Sequence, residues 1–172
     1  MTQSSAPVSG SLEGIYVCAS AGSPMRALES ARAVAGRGIQ GDRYWLGTGH
    51  WTGRGSDPVT LVEAEVVDEL GEGRSALAPG ALRRNLVVRG IRLEELIGRR
   101  FLVGTAVLEG LRACEPCRYL ETLLERPGLV DALLGRGGLR AVVVRSGTMS
   151  LGDAVEAMPG ARAAAGRRGG RA

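Results

Sequence analysis

The alternation of apolar and polar residues along this chain predicts many short strands separated by glycine-containing turns. The predicted strands span residues 14–19, 31–35, 58–62, 82–90, 101–104, 105–111, 139–144 and a final short strand within 152–156. Strands and helices do not alternate strictly, which disfavours a doubly wound parallel fold. The pattern instead predicts a mostly β (α+β) fold, a barrel-like mixed sheet with several short helices.

Short helices are predicted between the strands, most clearly after residue 119. Leu120, Leu123 and Leu124 fall at i, i+3 and i+4, while Glu121 and Glu125 lie off that stripe. This spacing predicts a helix with one apolar face. Further short helices are predicted over residues 63–70, 93–97 and 129–134, and a turn is predicted over residues 146–148.

The composition predicts one domain with an aliphatic core. The 172 residues are 44% hydrophobic but only 3% aromatic, and 27 of them are glycine. Val, Leu, Ala and Ile must therefore fill the core, and a chain of this length can build one without disulfides. We expect a flexible lead-in over residues 1–12, the domain over 13–158, and a disordered Ala/Gly/Arg-rich tail over 159–172.

The charged residues exclude some classes of function. All 22 basic residues are arginine, so no side chain can form an internal Schiff base with pyridoxal phosphate, and no P-loop lysine is present. The net charge of +4 is modest and residues 167–171 carry three of those charges, which argues against a nucleic-acid surface. The sequence shows no signal peptide or apolar run of membrane-spanning length, and its three cysteines argue against a disulfide framework. We therefore predict a cytoplasmic protein whose partners include neither nucleic acid nor a membrane.

A glycine-rich segment at residues 36–41 satisfies the spacing G-x-G-x-x-G. A dinucleotide site would need a helix to begin at the third glycine, but residues 42–45 are expected to run into a loop. We therefore reject a dinucleotide site. Two alternatives stay open: the turn and Arg43 hold an anion, or Asp42 and Arg43 form a buried ion pair.

Two other segments contain reactive residue types. Cys18 lies in the apolar run of the first strand and is expected to be buried as a small hydrophobe. The loop at 47–57 contains His50, the only histidine, and Trp51. Loops of this kind often border sites, but an exposed His-Trp pair needs no function.

The cysteine pair lies where a predicted strand passes into a helix. Cys114 and Cys117 are three residues apart, with Arg112 and Arg118 beside them. A helix N-terminus and neighbouring positive charge favour the thiolate, which attacks electrophiles, carries sulfur or binds a metal. Four interpretations follow: a zinc site, a dithiol redox site, two inert thiols, or one thiolate that ligates a soft metal while arginines hold an anionic cofactor. Zinc is disfavoured because the chain has only one further cysteine and one histidine.

Five segments, in this order and at this spacing, resemble the MOSC domain, the module named after the C-terminal domain of molybdenum cofactor sulfurases. They are residues 38–43, 83–87, 114–117, 136–139 and 147–153. The resemblance runs from about residue 14 to residue 156. It implies a barrel-like fold that binds the molybdopterin form of the molybdenum cofactor, or that handles sulfur destined for it.

The resemblance also implies roles for individual residues. Cys117 stands at the position of the family's catalytic cysteine, a molybdenum ligand in the amidoxime-reducing members and a proposed persulfide carrier in others. Cys114 is expected to be a supporting or resolving thiol. The residues that would hold the anionic cofactor are Asp42, Arg43, Arg83, Asn85 and Arg118.

The function implied by the resemblance is that of a stand-alone MOSC protein that binds molybdenum cofactor and reduces N-hydroxylated bases or amidoximes. One alternative is a persulfide carrier that delivers sulfur to the cofactor, and another is a dithiol oxidoreductase that uses Cys114 and Cys117. We expect neither the pyridoxal-phosphate desulfurase domain of the sulfurases nor the extra N-terminal β-barrel domain of the amidoxime-reducing members. An electron-donor or sulfur-donor protein is therefore an expected partner, beside a small-molecule substrate, and a homodimer is left open.

Overall fold

A computed structural model of the chain describes residues 8–50, 52–53, 58–71, 77–78 and 80–162. Trp51, most of the predicted lead-in and the arginine-rich segment after residue 162 lie outside the described residues. The described strands are β1 (Ser9–Val17), β2 (Arg26–Leu28), β3 (Ser30–Val34), β4 (Gly38–Ile39), β5 (Val59–Glu63), β6 (Leu86–Arg89), β7 (Arg99–Val103), β8 (Ala106–Ala113), β9 (Leu139–Arg145), β10 (Gly147–Ser150) and β11 (Ala154–Arg162). The described helices are α1 (Arg43–Leu46), α2 (Ala64–Gly71), α3 (Arg118–Leu123) and α4 (Leu129–Ala132), with a 3-10 helix at Leu93–Leu96.

Seven of the described strands close into a barrel. Their order is β11-β7-β8-β9-β5-β6-β1, and β1 pairs with β11 to complete the ring. Because β5 and β6 are parallel while the other neighbours are antiparallel, the sheet is mixed. β2 pairs with β1 outside the ring, and β10, β3 and β4 form a separate small sheet. The barrel confirms the predicted mostly β fold.

Aliphatic side chains fill the inside of the barrel, as the low aromatic content requires. Along β9, Leu139, Ala141 and Val143 are buried while the residues between them are partly exposed, which is the two-residue alternation that a strand imposes. Phe101 on β7 is the only phenylalanine of the chain and is fully buried in the same core. Full burial of a Leu, Val or Phe side chain stabilises the fold by about 1.5–3 kcal/mol.

A second apolar cluster lies on the outside of the barrel and fixes the helices there. Val62 of β5 packs with Val66 and Leu70 of α2, with Leu120 of α3 and with Leu129 of α4. Leu120 belongs to the apolar stripe that the sequence predicts for this helix. The cluster therefore fixes the first turn of α3, and with it the loop that carries the cysteine pair.

One helical turn forms where the sequence predicted only a loop. α1 begins directly after Asp42, whose carboxylate accepts a hydrogen bond from Tyr44 N at 3.2 Å and so caps the N-terminus. Gly47 ends the helix with a φ of 74°, a left-handed conformation that glycine adopts without strain. The predicted loop at 42–45 was wrong because a capping residue and a terminal glycine enclose this short segment.

Two further predictions of strands and turns were wrong. The strand predicted at 82–90 begins only at Leu86, because Arg83 has a φ of 57°, which lies outside the β region. The turn predicted at 146–148 instead opens β10, which pairs with β3. A side chain at Gly147 would collide with the neighbouring backbone, so this close approach needs glycine.

The first and last strands of the barrel are longer than the sequence pattern predicts. β1 begins at Ser9 rather than at residue 14, and β11 covers nine residues. The two strands pair through Ser9–Ser11 and Ala154–Glu156, so the extra length of β1 is what closes the ring, whereas the extra part of β11 pairs with β7. Among the described helices, none is both long and apolar enough to cross a membrane.

Candidate functional site

The loop that carries the cysteine pair is held in place by two glycines. Cys114 N donates a hydrogen bond to Gly138 O at 2.8 Å, which ties the end of β8 to the turn before β9. A side chain at Gly137 would collide with Cys114 O, and one at Gly138, whose φ is 111°, would collide with Leu61 O. Both positions therefore need glycine, so that the turn can lie directly against the cysteine loop and β5.

The two thiols of the pair have different surroundings. Cys114 is only 1% exposed, whereas Cys117 is partly exposed and occupies the N-cap position of α3, where its side chain makes no capping hydrogen bond. All three cysteines of the chain, including the buried Cys18, are free thiols. Cys117 is therefore the thiol of the pair that a ligand or reagent reaches first.

Cys117 faces a small cleft that is rich in arginine. The cleft holds about 40 Å³ of space. Its walls come from α1, the segment before β6, the cysteine loop, α3 and β9, which are distant in sequence. The lining residues are Ala21, Arg43, Tyr44, His50, Thr60, Arg83, Arg84, Glu115, Cys117, Tyr119, Leu120 and Arg140. Four guanidinium groups around one accessible thiol make this the strongest candidate site.

Asp42 and Arg43 form the buried ion pair that was one of the two alternatives from the sequence. Arg43 Nη1 lies 3.1 Å from Asp42 Oδ1, and both side chains are almost completely buried. Burial is the largest effect and acts to lower the pKa of Arg43, but the Asp42 carboxylate together with Tyr44 and Cys18 outweighs it, so the net pKa is above the ordinary value. Arg43 also lines the cleft, so the ion pair holds the guanidinium at the site, whereas the Asp42 carboxylate lies behind it.

Two consecutive arginines enter the cleft from the segment before β6. Arg83 Nη1 donates to Ser23 O at 2.6 Å and its Nη2 contacts Cys18 Sγ at 3.2 Å. Arg84 Nε donates to Gly137 O at 2.9 Å, which links it to the turn that supports the cysteine loop. These bonds fix both guanidinium groups to the backbone around the cleft.

Arg140 on β9 carries an unsatisfied donor. Arg140 lines the cleft, and its Nη1 is buried without a hydrogen-bond partner in the described part of the chain. A buried donor that loses water without gaining a partner costs about 1–3 kcal/mol. An anion bound in the cleft would satisfy this atom.

Asn85 lies beneath the cleft, and its side chain connects strands of the barrel. Its side chain is fully buried. Its Oδ1 accepts hydrogen bonds from Thr60 N and Thr60 Oγ1, both at 3.1 Å, and its Nδ2 donates to Tyr16 O at 3.1 Å. The amide thus joins β5 and β1 at the start of β6, and its contacts are all with the protein.

The structure brings together some of the sequence-predicted site residues and not others. Cys117, Arg43 and Arg83 meet in the cleft, whereas Arg118 is exposed on α3 and Cys114 is buried. Six residues of the lining that can hydrogen-bond or stack were not predicted from the sequence, namely Tyr44, Thr60, Arg84, Glu115, Tyr119 and Arg140. The signal for Arg140 was present, since a charged residue inside an otherwise apolar central strand needs a partner.

Aromatic side chains form part of the rim of the cleft. The rings of His50 and Tyr119 are stacked, with their centroids 4.2 Å apart and an interplanar angle of 10°. Thr48 fixes the His50 loop, since its N donates to Arg43 O at 2.8 Å and its Oγ1 donates to Ala19 O at 2.6 Å. The only histidine therefore belongs to the lining of the candidate site.

The described residues contain no cluster of side chains that could bind a metal ion by themselves. Within the described ranges, no three His, Cys, Asp or Glu side chains converge in a way that could hold a metal ion. A larger cavity of about 230 Å³ shares Arg83 and Arg84 with the cleft. It is lined by apolar residues such as Val67 and Leu77 and has no thiol among its lining residues, so chemistry rather than volume identifies the site.

Comparisons with solved structures show that other proteins share this fold. The YuaD protein from Bacillus subtilis has a similar crystal structure, with a TM-score of 0.70 and 21% identity over 88% of this chain and 96% of that one. YiiM from Escherichia coli matches with a TM-score of 0.66 and 16% identity, over 88% of this chain and 70% of that one. YiiM from Geobacillus stearothermophilus matches with a TM-score of 0.59 and 16% identity, over 91% and 78%. At these identities the likeness shows the fold.

The sequence itself places the chain in a family. No curated protein sequence gives a significant match. The profile of the MOSC domain matches residues 48–156, which is more than half of the chain. The chain therefore belongs to the MOSC domain family, a family associated with molybdenum cofactor binding.

Proposed function

We propose that this protein binds the molybdenum cofactor in the arginine-rich cleft, with Cys117 as the metal ligand. The observation that carries the proposal is the convergence of an accessible thiol with four guanidinium groups, one of which has a buried nitrogen, Arg140 Nη1, with no partner among the described residues. A buried donor of this kind is expected to have a partner, either an ordered water or a bound anion.

The donor set fits the chemistry of the cofactor. Thiolates are preferred by soft metals, and guanidinium groups bind phosphate through paired, charge-assisted hydrogen bonds. Cys117 would hold the metal, while Arg43, Arg83, Arg84 and Arg140 would hold the phosphate or other anionic groups. When bound, the cofactor supplies two-electron chemistry at molybdenum.

The size of the cleft sets a condition on this proposal. About 40 Å³ accommodates a few water molecules, which is too little for a pterin. The rim would therefore have to open, or the pterin would have to extend out of the cleft, when the cofactor binds. The stacked pair of His50 and Tyr119 on the rim is the contact that such an opening would alter.

The proposed reaction is the reduction of N-hydroxylated bases or amidoximes. A hydroxylamine-type substrate takes up two electrons and two protons, the N–O bond breaks, and the oxygen leaves as water. A partner protein supplies the electrons. His50 and Glu115 line the same cleft as Cys117, and they are the side chains placed to deliver a proton to the leaving oxygen.

A persulfide carrier is the second candidate, favoured by the small volume of the cleft. One added sulfur atom on Cys117 needs little space, and a terminal persulfide is anionic, so the same arginines would stabilise it. In this function the Cys117 thiolate attacks the outer sulfur of a donor persulfide, the donor leaves as a thiolate, and the sulfur is passed on to the cofactor. No molybdenum would then stay bound.

Elemental analysis distinguishes these functions. The protein would be purified anaerobically from a host that makes the cofactor, together with Cys117→Ala and the matched control Cys114→Ala. Near-stoichiometric molybdenum that is lost in Cys117→Ala and kept in Cys114→Ala supports the proposed function. Labile sulfur without molybdenum supports the carrier, and zinc at one per chain would contradict both. If neither metal nor labile sulfur is found, and a dithiol-dependent activity is lost in both variants, the result would support the dithiol oxidoreductase.

A further inference from the structure

Cys18 lies behind the cleft, where two of the cleft arginines contact its sulfur. Arg83 Nη2 is 3.2 Å and Arg43 Nη1 is 3.5 Å from Cys18 Sγ. The sulfur is also 3.3 Å from Ser20 O, in the geometry of an S–H donor. The buried thiol therefore accepts two hydrogen bonds from guanidinium groups while it donates one to the backbone.

We propose that Cys18 is a positioning residue that directs Arg43 and Arg83 toward an anion in the cleft without neutralising them. A thiol that donates a hydrogen bond to Ser20 O keeps its proton and brings no formal charge. A carboxylate at the same place would form salt bridges with both guanidinium groups and cancel their attraction for a ligand. The role of Cys18 rests on the proposed function in one respect, that the cleft is an anion site.

The charge balance of the buried cluster supports this role. Arg43 and Arg83 bring two positive charges, and among the described residues Asp42 is the acidic side chain that contacts one of them, Arg43. One positive charge therefore has no acidic partner in the described part of the chain. Buried charges are normally paired, and since both arginines line the cleft, an anion bound there would complete the pairing.

The sulfur also helps to hold Arg83 in an unusual backbone conformation. Arg83 has a φ of 57°, which non-glycine residues keep only where surrounding contacts fix them. Its Nη1 donates to Ser23 O at 2.6 Å, and its own carbonyl accepts a hydrogen bond from Arg43 Nη2 at 3.0 Å. With the sulfur contact, these bonds fix both the backbone and the guanidinium of Arg83.

Charge-selective alkylation of Cys117 in the cofactor-free protein tests the proposal. Iodoacetate is anionic and iodoacetamide is neutral, so the ratio of their rates at Cys117 reports the local positive potential. Thiolate fraction and access affect both reagents alike. Peptide mass spectrometry separates modification of Cys117 from that of Cys114 and Cys18.

The variants of Cys18 have different expected ratios. Cys18→Ser should keep the wild-type ratio, because its hydroxyl can make the same bonds. Cys18→Ala should lower the ratio, because the two arginines lose their shared acceptor. Cys18→Asp should lower it at least about threefold, because the added negative charge would cancel part of the positive potential of the two arginines.

A second readout is the affinity for inorganic phosphate, measured by calorimetry. It should fall in Cys18→Ala and be restored in Cys18→Ser. A wild-type ratio and wild-type phosphate affinity in folded Cys18→Ala would overturn the proposal. Thermal unfolding reports whether each variant folds, and if Cys18→Asp does not, the comparison of alanine with serine decides. Expected ratios in a protein that never takes up molybdenum would refute the cofactor while supporting the role of Cys18.

Discussion

Replacing Asn85 by alanine separates a structural role of this residue from direct binding of a cofactor. The fully buried amide makes three hydrogen bonds, with Thr60 N, Thr60 Oγ1 and Tyr16 O. Alanine would leave these three groups without that partner. Each buried polar group that loses its partner costs about 1–3 kcal/mol, and the lower end of this range applies where the neighbours can relax. For three such groups, the free energy of unfolding should therefore fall by about 3–4 kcal/mol.

Urea unfolding followed by circular dichroism measures this change as a shift of the midpoint at constant m-value. Thr60→Val is the matched control, because it removes one hydroxyl from the same network and should cost only about 1–2 kcal/mol. A loss of stability below about 1 kcal/mol in Asn85→Ala, together with loss of molybdenum from the folded variant, would refute the structural role. Asn85 would then contact the cofactor directly, as the family resemblance implies.

Three other changes give expected outcomes of different kinds. Arg140→Met should reduce molybdenum content or phosphate affinity at least about tenfold while leaving the thermal midpoint unchanged or higher, because it removes an unsatisfied buried donor and keeps a side chain of similar length. A large fall in the midpoint would contradict this role. Gly138→Ala should lower the free energy of unfolding, measured in the same urea assay, by more than about 2 kcal/mol. The control is Gly36→Ala, which should lower it by only about 1 kcal/mol, because Gly36 also has a positive φ but has open space around it. Equal losses would mean that the packing of Gly138 against β5 is unimportant. In the native protein, iodoacetamide should modify Cys117 at least about tenfold faster than Cys114, because thiol reactivity requires access; similar rates by peptide mapping would contradict the burial of Cys114.

The sequence by itself determined the fold class and the part of the site that contains the cysteine pair. Alternating apolar runs and glycine turns predicted a mixed barrel because side chains on a strand alternate between its faces. The apolar stripe at Leu120 predicted α3, and the short spacing of Cys114 and Cys117 placed both thiols at its start. These features depend on neighbours along the chain, so local pattern is enough to predict them.

The local sequence pattern gave wrong predictions where the backbone conformation of a single residue decides where a helix or strand begins or ends. Arg83 enters the left-handed region and delays β6, although its side chain and those around it fit a strand. Asp42 and Gly47 enclose one helical turn that is too short to show a period. A conformation of one residue is held by contacts from distant segments, such as Arg43 Nη2 on Arg83 O, and those contacts are not visible in the sequence nearby.

Only the tertiary structure decided which polar residues share the cleft and which lie behind it. Pairing of β9 with β8 brings Arg140 close to the loop that carries Cys117, and pairing of β6 with β5 and β1 places Asn85 beneath the cleft, where its amide is used by β5 and β1. Folding also makes Cys18, expected to be buried as a small hydrophobe, an acceptor for two arginines. The physical reason is that hydrogen bonding and charge pairing in a barrel depend on which strands become neighbours, and strands far apart in sequence become neighbours only in the folded sheet.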